Sequence, residues 1–465
     1  MSAIPGSIDA DRGPPMTIPL RHFLVGTGLL LAGALAGAVQ SFGGTLVPGN
    51  LGLAHVHLLL VGWVAVTIMG AMTQFVPVWS GVAIHSRRLA SAQLWLVVAG
   101  LLAFAAALLV GAYRWLPLGG FVMLAGFWTF VYNVGRTLRR ARPWDVTERH
   151  FAIALGFFVL LTGLGVVLAA GLTRPILADT PVSHGSVRMS HATLALYGAV
   201  LTTVYGALYQ LATMFTQSSL HGIDLPLRQL ESVGHPVGVL ALAGGRLFDV
   251  APLARVGAIL VVASALGMSV ILARRLLEAQ VPWTPMLSRY AVLTAAMGGW
   301  AIWTGPALLR DPLDPATLFG APGAFSLLIL GVVGFVVLGT LYHVVPFIVW
   351  VHRYSDRLGL EPVPMIDDLY DDRVARADFV CFVLGVGLLV VSDAFALSKT
   401  VSTLGGLSVT VGAALFLLNV ILILRRHSPH SVTGLLFGRF SSEEPGSEPS
   451  PSQPQSQSGV DSPPR

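Results

Sequence analysis

Three histidines are placed where their side chains could do chemistry. The segment SHATLALYGAVLTTVYGALYQL (190 to 211) aligns without gaps on AHVHLLLVGWVAVTIMGAMTQF (54 to 75), and His191 then falls on His55, with His57 two residues further on. A third segment, GAFSLLILGVVGFVVLGTLYHV (323 to 344), follows the same pattern but has Ala324 at the histidine position. Gly62, Gly198 and Gly331 superpose, as do Gly70, Gly206 and Gly339. The offsets are 198 − 62 = 136 and 331 − 198 = 133. An imidazole inside an apolar segment is a costly polar group that normally has a task, and ligation of a metal or heme iron is the task it does best.

The elements that must position these residues are membrane helices. Hydrophobic residues make up 54% of the 465 and charged residues only 11%, and the mean hydropathy is +0.74, which together exclude an ordinary soluble domain. Apolar windows of about 20 residues begin near Leu20, Ala54, Leu89, Trp115, His150, Arg188, Val233, Pro252, Leu287, Pro322, Arg373 and Ser402. The seventh is the shortest. Continuous apolar runs of this length satisfy their backbone in lipid as helices. The expected fold is therefore all-α: a polytopic membrane protein of about twelve helices in three pseudo-equivalent four-helix repeats, approximately 19–140, 150–275 and 287–426.

The basic residues predict the orientation. On a twelve-span reading, Arg87, Arg88, Arg136, Arg139, Arg140, Arg274, Arg275, Arg425 and Arg426 fall on one side with most of the other arginines, so both termini are expected in the cytoplasm of a multi-pass cell-membrane protein. The net charge of +5 then reflects topology, and nothing calls for a nucleic-acid partner. The one cysteine, Cys381, excludes an intramolecular disulfide and a thiolate cluster. The first span reads as a retained helix. Residues 1–18 form a polar extension, and 441–465, rich in Ser, Pro and Gln, are expected to be a disordered cytoplasmic tail.

On this topology His55, His57 and His191 all sit in the first turns of helices that start at the outer surface. Were the repeats arranged as a ring, equivalent faces of neighbouring helices would approach one another, and a heme plane could lie between two imidazoles. The small residues Gly62 and Gly198 would permit close packing of helices or of a flat macrocycle. Farther along, Gln74, Gln210 and His343 are equivalent, each following Thr73, Tyr209 or Tyr342. At 1.5 Å per residue His343 lies roughly 28 Å from Ala324 and cannot share a cofactor with His55 or His191. His22, His85, His150, His184, His221, His352, His427 and His430 read as solvated loop or helix-end residues, and His235 as a candidate internal polar site. The acidic residues clearly within spans are Asp378 and Asp393, which gives no support to a proton-pumping path.

With its three groups of four spans and its histidines on inner helices, the chain resembles the catalytic subunit (subunit I) of the heme-copper oxidase superfamily. HVHLLLVGW (55 to 63) is similar to the H-x-H and Gly-Trp of cbb3-type members, and GWVAVTIMGAMTQFVPVWSG (62 to 81) to the first repeat of NnrS-type proteins, relatives linked to nitric-oxide stress. The resemblance implies a heme, most simply b-type, with His55 or His57 and His191 as axial ligands and the remaining histidine free for a second heme or metal. It also implies electron transfer or oxygen or nitric-oxide chemistry, a small second subunit, and a cytochrome or cupredoxin electron donor. The departures are specific. No adjacent His-His pair exists for copper, and Ala324 and Ser326 stand where the family carries H-x-H. A complete three-histidine copper site is not expected. A twelve-helix transporter and a non-catalytic assembly protein are the alternatives.

Overall fold

The computed structural model describes residues 14–43 and 49–438. The N-terminal extension up to residue 13 and the predicted tail at 441–465 lie outside the described residues. The described chain is all-helical. Its long helices are α1 Thr17–Gly43, α2 Leu51–Ser80, α3 Arg87–Leu109, α4 Leu116–Leu138, α5 Val146–Gly171, α6 His184–Thr216, α7 Asp224–Leu247, α8 Ala251–Leu277, α9 Pro285–Arg310, α10 Leu327–Arg353, α11 Asp372–Phe395 and α12 Lys399–His427, with the short α13 Val432–Phe437 after them. Eleven are long and apolar enough to cross a membrane. The exception, α7, corresponds to the span read as shortest, but it is a 24-residue helix whose charged and polar side chains Asp224, Glu231, His235 and Arg246 are buried.

Three helices change pitch in the same way. Residues Leu58–Ala65 of α2, Leu194–Leu201 of α6 and Leu327–Gly334 of α10 form π-helical segments. Their starting points differ by 136 and 133 residues, the offsets of the sequence alignment, and Gly62, Gly198 and Gly331 lie inside them. A π segment inserts extra residues into a helix and re-aims its side chains, a device found often at functional sites. These three helices meet one another. Trp63 of α2 reaches Gly334 of α10, and Phe215 of α6 packs on His343 of α10 with ring centroids 4.7 Å apart. The third meeting, α2 with α6, is the cavity described below.

Glycines set the closest approaches. A Cβ on Gly70, Gly206 or Gly339 would stand 2.6, 2.4 or 3.1 Å from the Cβ of His22 (α1), His150 (α5) or Arg289 (α9). Each pitch-changing helix thus rests on the helix before it at the same register. Small residues of this kind let membrane helices pack by close van der Waals contact. A second set of glycine pairs, Gly100 with Gly119, Gly238 with Gly257 and Gly385 with Gly405, brings α3 onto α4, α7 onto α8 and α11 onto α12.

Candidate functional site: two histidine-lined cavities

His57 and His191 line one cavity of about 370 Å³, within the usual range for small-molecule sites. It lies among α2, α3, α4, α5 and α6. Its walls are apolar, with Phe104, Met123, Phe127, Phe158, Leu161, Leu196 and Val200, while His184 and Arg188 stand among the few polar groups around it. His57 also packs on the ring of Phe104 at 4.9 Å. His55 lines a different cavity, of about 350 Å³, together with Gly37, Gln40, Ser41, Phe325, Ser326 and Leu389. That cavity is bounded by α1, α2, α10, α11 and α12. The fold therefore pairs His191 with His57, and the alternative pairing of His191 with His55 across one cavity is not formed.

The hydrogen bonds of the imidazoles define what they can do. His55 Nδ1 lies 2.8 Å from the Gly33 carbonyl, His57 Nδ1 2.8 Å from the Leu53 carbonyl, and His191 Nδ1 2.8 Å from the Leu161 carbonyl. A carbonyl accepts only, so each Nδ1 carries the proton and donates. Each Nε2 is left with its lone pair, the arrangement in which a histidine binds a metal while its other nitrogen is held by a backbone carbonyl. His55 and His191 are matched in detail. Gly33 and Leu161 are 161 − 33 = 128 residues apart, and the glycines covered by the two rings, Gly37 and Gly165, are 165 − 37 = 128 apart. A Cβ on Gly37 would lie 2.7 Å from His55 Cε1, and one on Gly165 3.1 Å from His191 Cε1.

Three nitrogen lone pairs held in apolar cavities fit a heme, whose iron takes axial imidazoles and whose macrocycle takes apolar walls. Two glycines, Gly120 and Gly165, line the His57 and His191 cavity, and Gly165 is the one beneath the His191 ring. Gly62 and Gly198 do something else: their faces pack against Leu29 and Leu101, and against Phe157, and neither lines either of these two cavities. Their part is helix packing. His343 is enclosed by Phe215 and Phe347, away from both cavities. Among the described residues no group of three or more His, Cys, Asp or Glu side chains converges as a metal site.

Several residues read as surface groups are internal. His22 and His150 are each 1% exposed. His150 Nε2 faces both oxygens of Glu231, Oε2 at 3.1 Å and Oε1 at 3.2 Å, and Tyr209 OH donates to Oε2 at 2.6 Å. Glu231 is fully buried, a carboxylate within the helical bundle beyond the two identified in the sequence. Asp378 is buried against Arg289 and Tyr342, with Asn419 donating to the Tyr342 hydroxyl at 3.1 Å, whereas Asp393 is exposed and accepts from Ser326 at 2.8 Å. His235 is fully buried, as an internal polar site requires, and its Nε2 lies 2.9 Å from the Tyr197 carbonyl. The signal that could have revealed these groups is the recurrence of Gly70, Gly206 and Gly339, since each marks the helix crossing on which such a cluster is built.

No protein-family model matches the chain, and no curated protein matches it.

Proposed function

We propose that this chain is a heme-binding integral membrane protein built as three pseudo-equivalent four-helix units on the plan of oxidase subunit I, acting in electron transfer or in oxygen or nitric-oxide chemistry. The observation that carries the reading is the pairing of His57 and His191 on one apolar cavity, each with Nδ1 bound to a carbonyl and Nε2 left for a metal. The repeated π segments and the repeated glycine crossings support the three-unit plan.

A threefold plan explains why sequence equivalents do not meet. Equivalent residues in a ring face equivalent clefts, never the same one. His191 on α6 faces α2, so His55 on α2 faces α10, and it does line the cavity shared by Phe325 and Ser326, which lead into α10. The residues at the His57 position, His57, Thr193 and Ser326, then face the other side of each helix. The α2/α6 cleft receives two imidazoles, His57 and His191. The α2/α10 cleft receives one, His55, opposite Ser326. The α6/α10 cleft receives none, having Ala324 and Thr193.

A b-type heme would be held by His57 and His191 and would supply one-electron chemistry there. The chain's own contribution is to hold both ring orientations through Leu53 and Leu161, to exclude water with aromatic and aliphatic walls, and to leave room at Gly165. At the second cavity His55 offers one imidazole beside Ser326, Gln40 and Ser41, the site for a second heme or metal with an open position for a diatomic ligand. A complete three-histidine copper set is not part of this proposal. The proposed setting is the plasma membrane, both termini cytoplasmic, with a small second subunit or a cytochrome or cupredoxin as electron donor.

The test is a reduced-minus-oxidised visible spectrum of the purified chain, with iron and copper analysis. A low-spin heme signal with iron present supports the reading. Heme-free protein from a heme-replete host refutes it and favours the second reading, a twelve-helix transporter, for which the buried Glu231 and the buried Arg289 and Asp378 pair speak.

A further inference from the structure

Beneath the cofactor cavities the three helix crossings carry three buried polar clusters of the same plan and different chemistry. Each has a nitrogen-bearing side chain under the glycine, a hydroxyl three residues after that glycine, and a carboxylate or amide on the next-but-one helix. At Gly70 these are His22, Thr73 and Gln93, with Gln93 Nε2 donating to Thr73 Oγ1 at 3.4 Å. At Gly206 they are His150, Tyr209 and Glu231. At Gly339 they are Arg289, Tyr342 and Asp378.

The three differ in how many charges they can change. Gln93 has no titrating group, so the first cluster lacks a charged partner for His22. Arginine does not deprotonate in proteins, so Arg289 is a fixed positive charge held against Asp378 in the third cluster. In the second cluster both partners titrate. One proton shared between His150 and Glu231 makes the pair neutral overall, as an ion pair or as two neutral groups. Removing that proton leaves a lone carboxylate fully buried among helices, and adding another leaves a lone cation. Isolated charges are disfavoured there, the lone carboxylate less than the lone cation because Tyr209 OH donates to it, so the pair can give up its one proton more readily than accept a second.

We propose that His150, Glu231 and Tyr209 form a proton-binding site that takes up and releases one proton. Tyr209 donates to the carboxylate at 2.6 Å and favours the form in which His150 carries the proton. Tyr205 and His235 meet edge to face at 4.8 Å beside the pair, and neither Tyr205 OH nor His235 Nδ1 has a protein partner among the described residues. The other charged groups facing the cluster are Asp145, from the start of α5, and Arg228, one turn back on α7. Toward the near end of α7, Asp224 is paired with Arg274 and Arg275. Glu231 is seven residues beyond Asp224, about 10 Å along the helix axis. This site goes beyond the heme reading and does not depend on it.

Nitrogen-15 NMR of the full-length protein labelled at histidine tests the proposal directly. Between about pH 8 and about pH 5, the window in which imidazoles titrate, one buried ring should pass from the neutral to the doubly protonated signature. It should vanish in His150→Asn and stay neutral throughout in Glu231→Gln. In Tyr209→Phe, which removes a donor from the carboxylate and so favours the form in which Glu231 holds the proton, the doubly protonated signature should weaken, and this variant decides the matter if Glu231→Gln does not fold. A His150 ring that keeps one protonation state across the range in the wild type overturns the proposal, as does a transition unmoved by either variant.

Discussion

His191 stands across one cavity from His57, whereas His55, its counterpart in the sequence alignment, lines another. The two cavities should therefore respond independently to mutation. His57→Ala and His191→Ala are each expected to abolish the two-imidazole heme signal, while His55→Ala and His343→Ala leave it in place. Heme-to-protein ratios of the four purified variants check this, and loss of the signal in His55→Ala would contradict the assignment of the cavities.

Gly165 is the point where the α5 backbone passes under the His191 ring, and a Cβ placed there would lie 3.1 Å from His191 Cε1. Gly165→Val is expected to displace the ring and fill the cavity wall, lowering heme occupancy several-fold while helix content by circular dichroism stays unchanged. Gly163→Val, at a position with open space around it, is the matched control and should bind heme as the wild type does.

The crossing of α6 over α5 leaves no room for a methyl group at Gly206, where a Cβ would sit 2.4 Å from His150 Cβ. Overpacking of this kind costs about 1–3 kcal/mol, and Gly206→Ala should lower the thermal midpoint in detergent. Gly156→Ala, where nothing lies within 4 Å, should leave it unchanged or raise it by the smaller helix-propensity gain of about 0.5–1 kcal/mol.

Arg289 and Asp378 form an ion pair in which both side chains are buried. Removing the cation alone leaves a buried carboxylate uncompensated, at a cost of about 3–5 kcal/mol. Arg289→Met should destabilise the protein by that order in a thermal or denaturant titration, and adding Asp378→Leu should recover most of the loss. Equal stability of single and double variants would argue that the pair does not act as a unit.

Much of the architecture is legible in the sequence because burial in lipid demands long apolar runs, and the helices begin within a few residues of where those runs begin. The seventh span is the exception. Its buried Glu231, His235 and Arg246 lower its hydropathy, so it reads as short, although Arg246 is satisfied internally by Thr193 Oγ1 at 2.7 Å and by the carbonyls of Pro312, Thr317 and Leu318. For the same reason His150 reads as a surface residue: its partner Glu231 is 231 − 150 = 81 residues away, and no local pattern announces such a pair. The histidines of the cavities are legible by type and depth. Which two share a cavity is not, because this depends on the rotation of each helix within the bundle.

Electron paramagnetic resonance of the oxidised, purified protein tests the central claim most directly, because it reads the axial ligands of the iron. The account predicts a low-spin ferric signal of a heme with two imidazole ligands, absent in both His57→Ala and His191→Ala. A protein that carries no heme, or one whose low-spin signal survives the loss of either histidine, would contradict it.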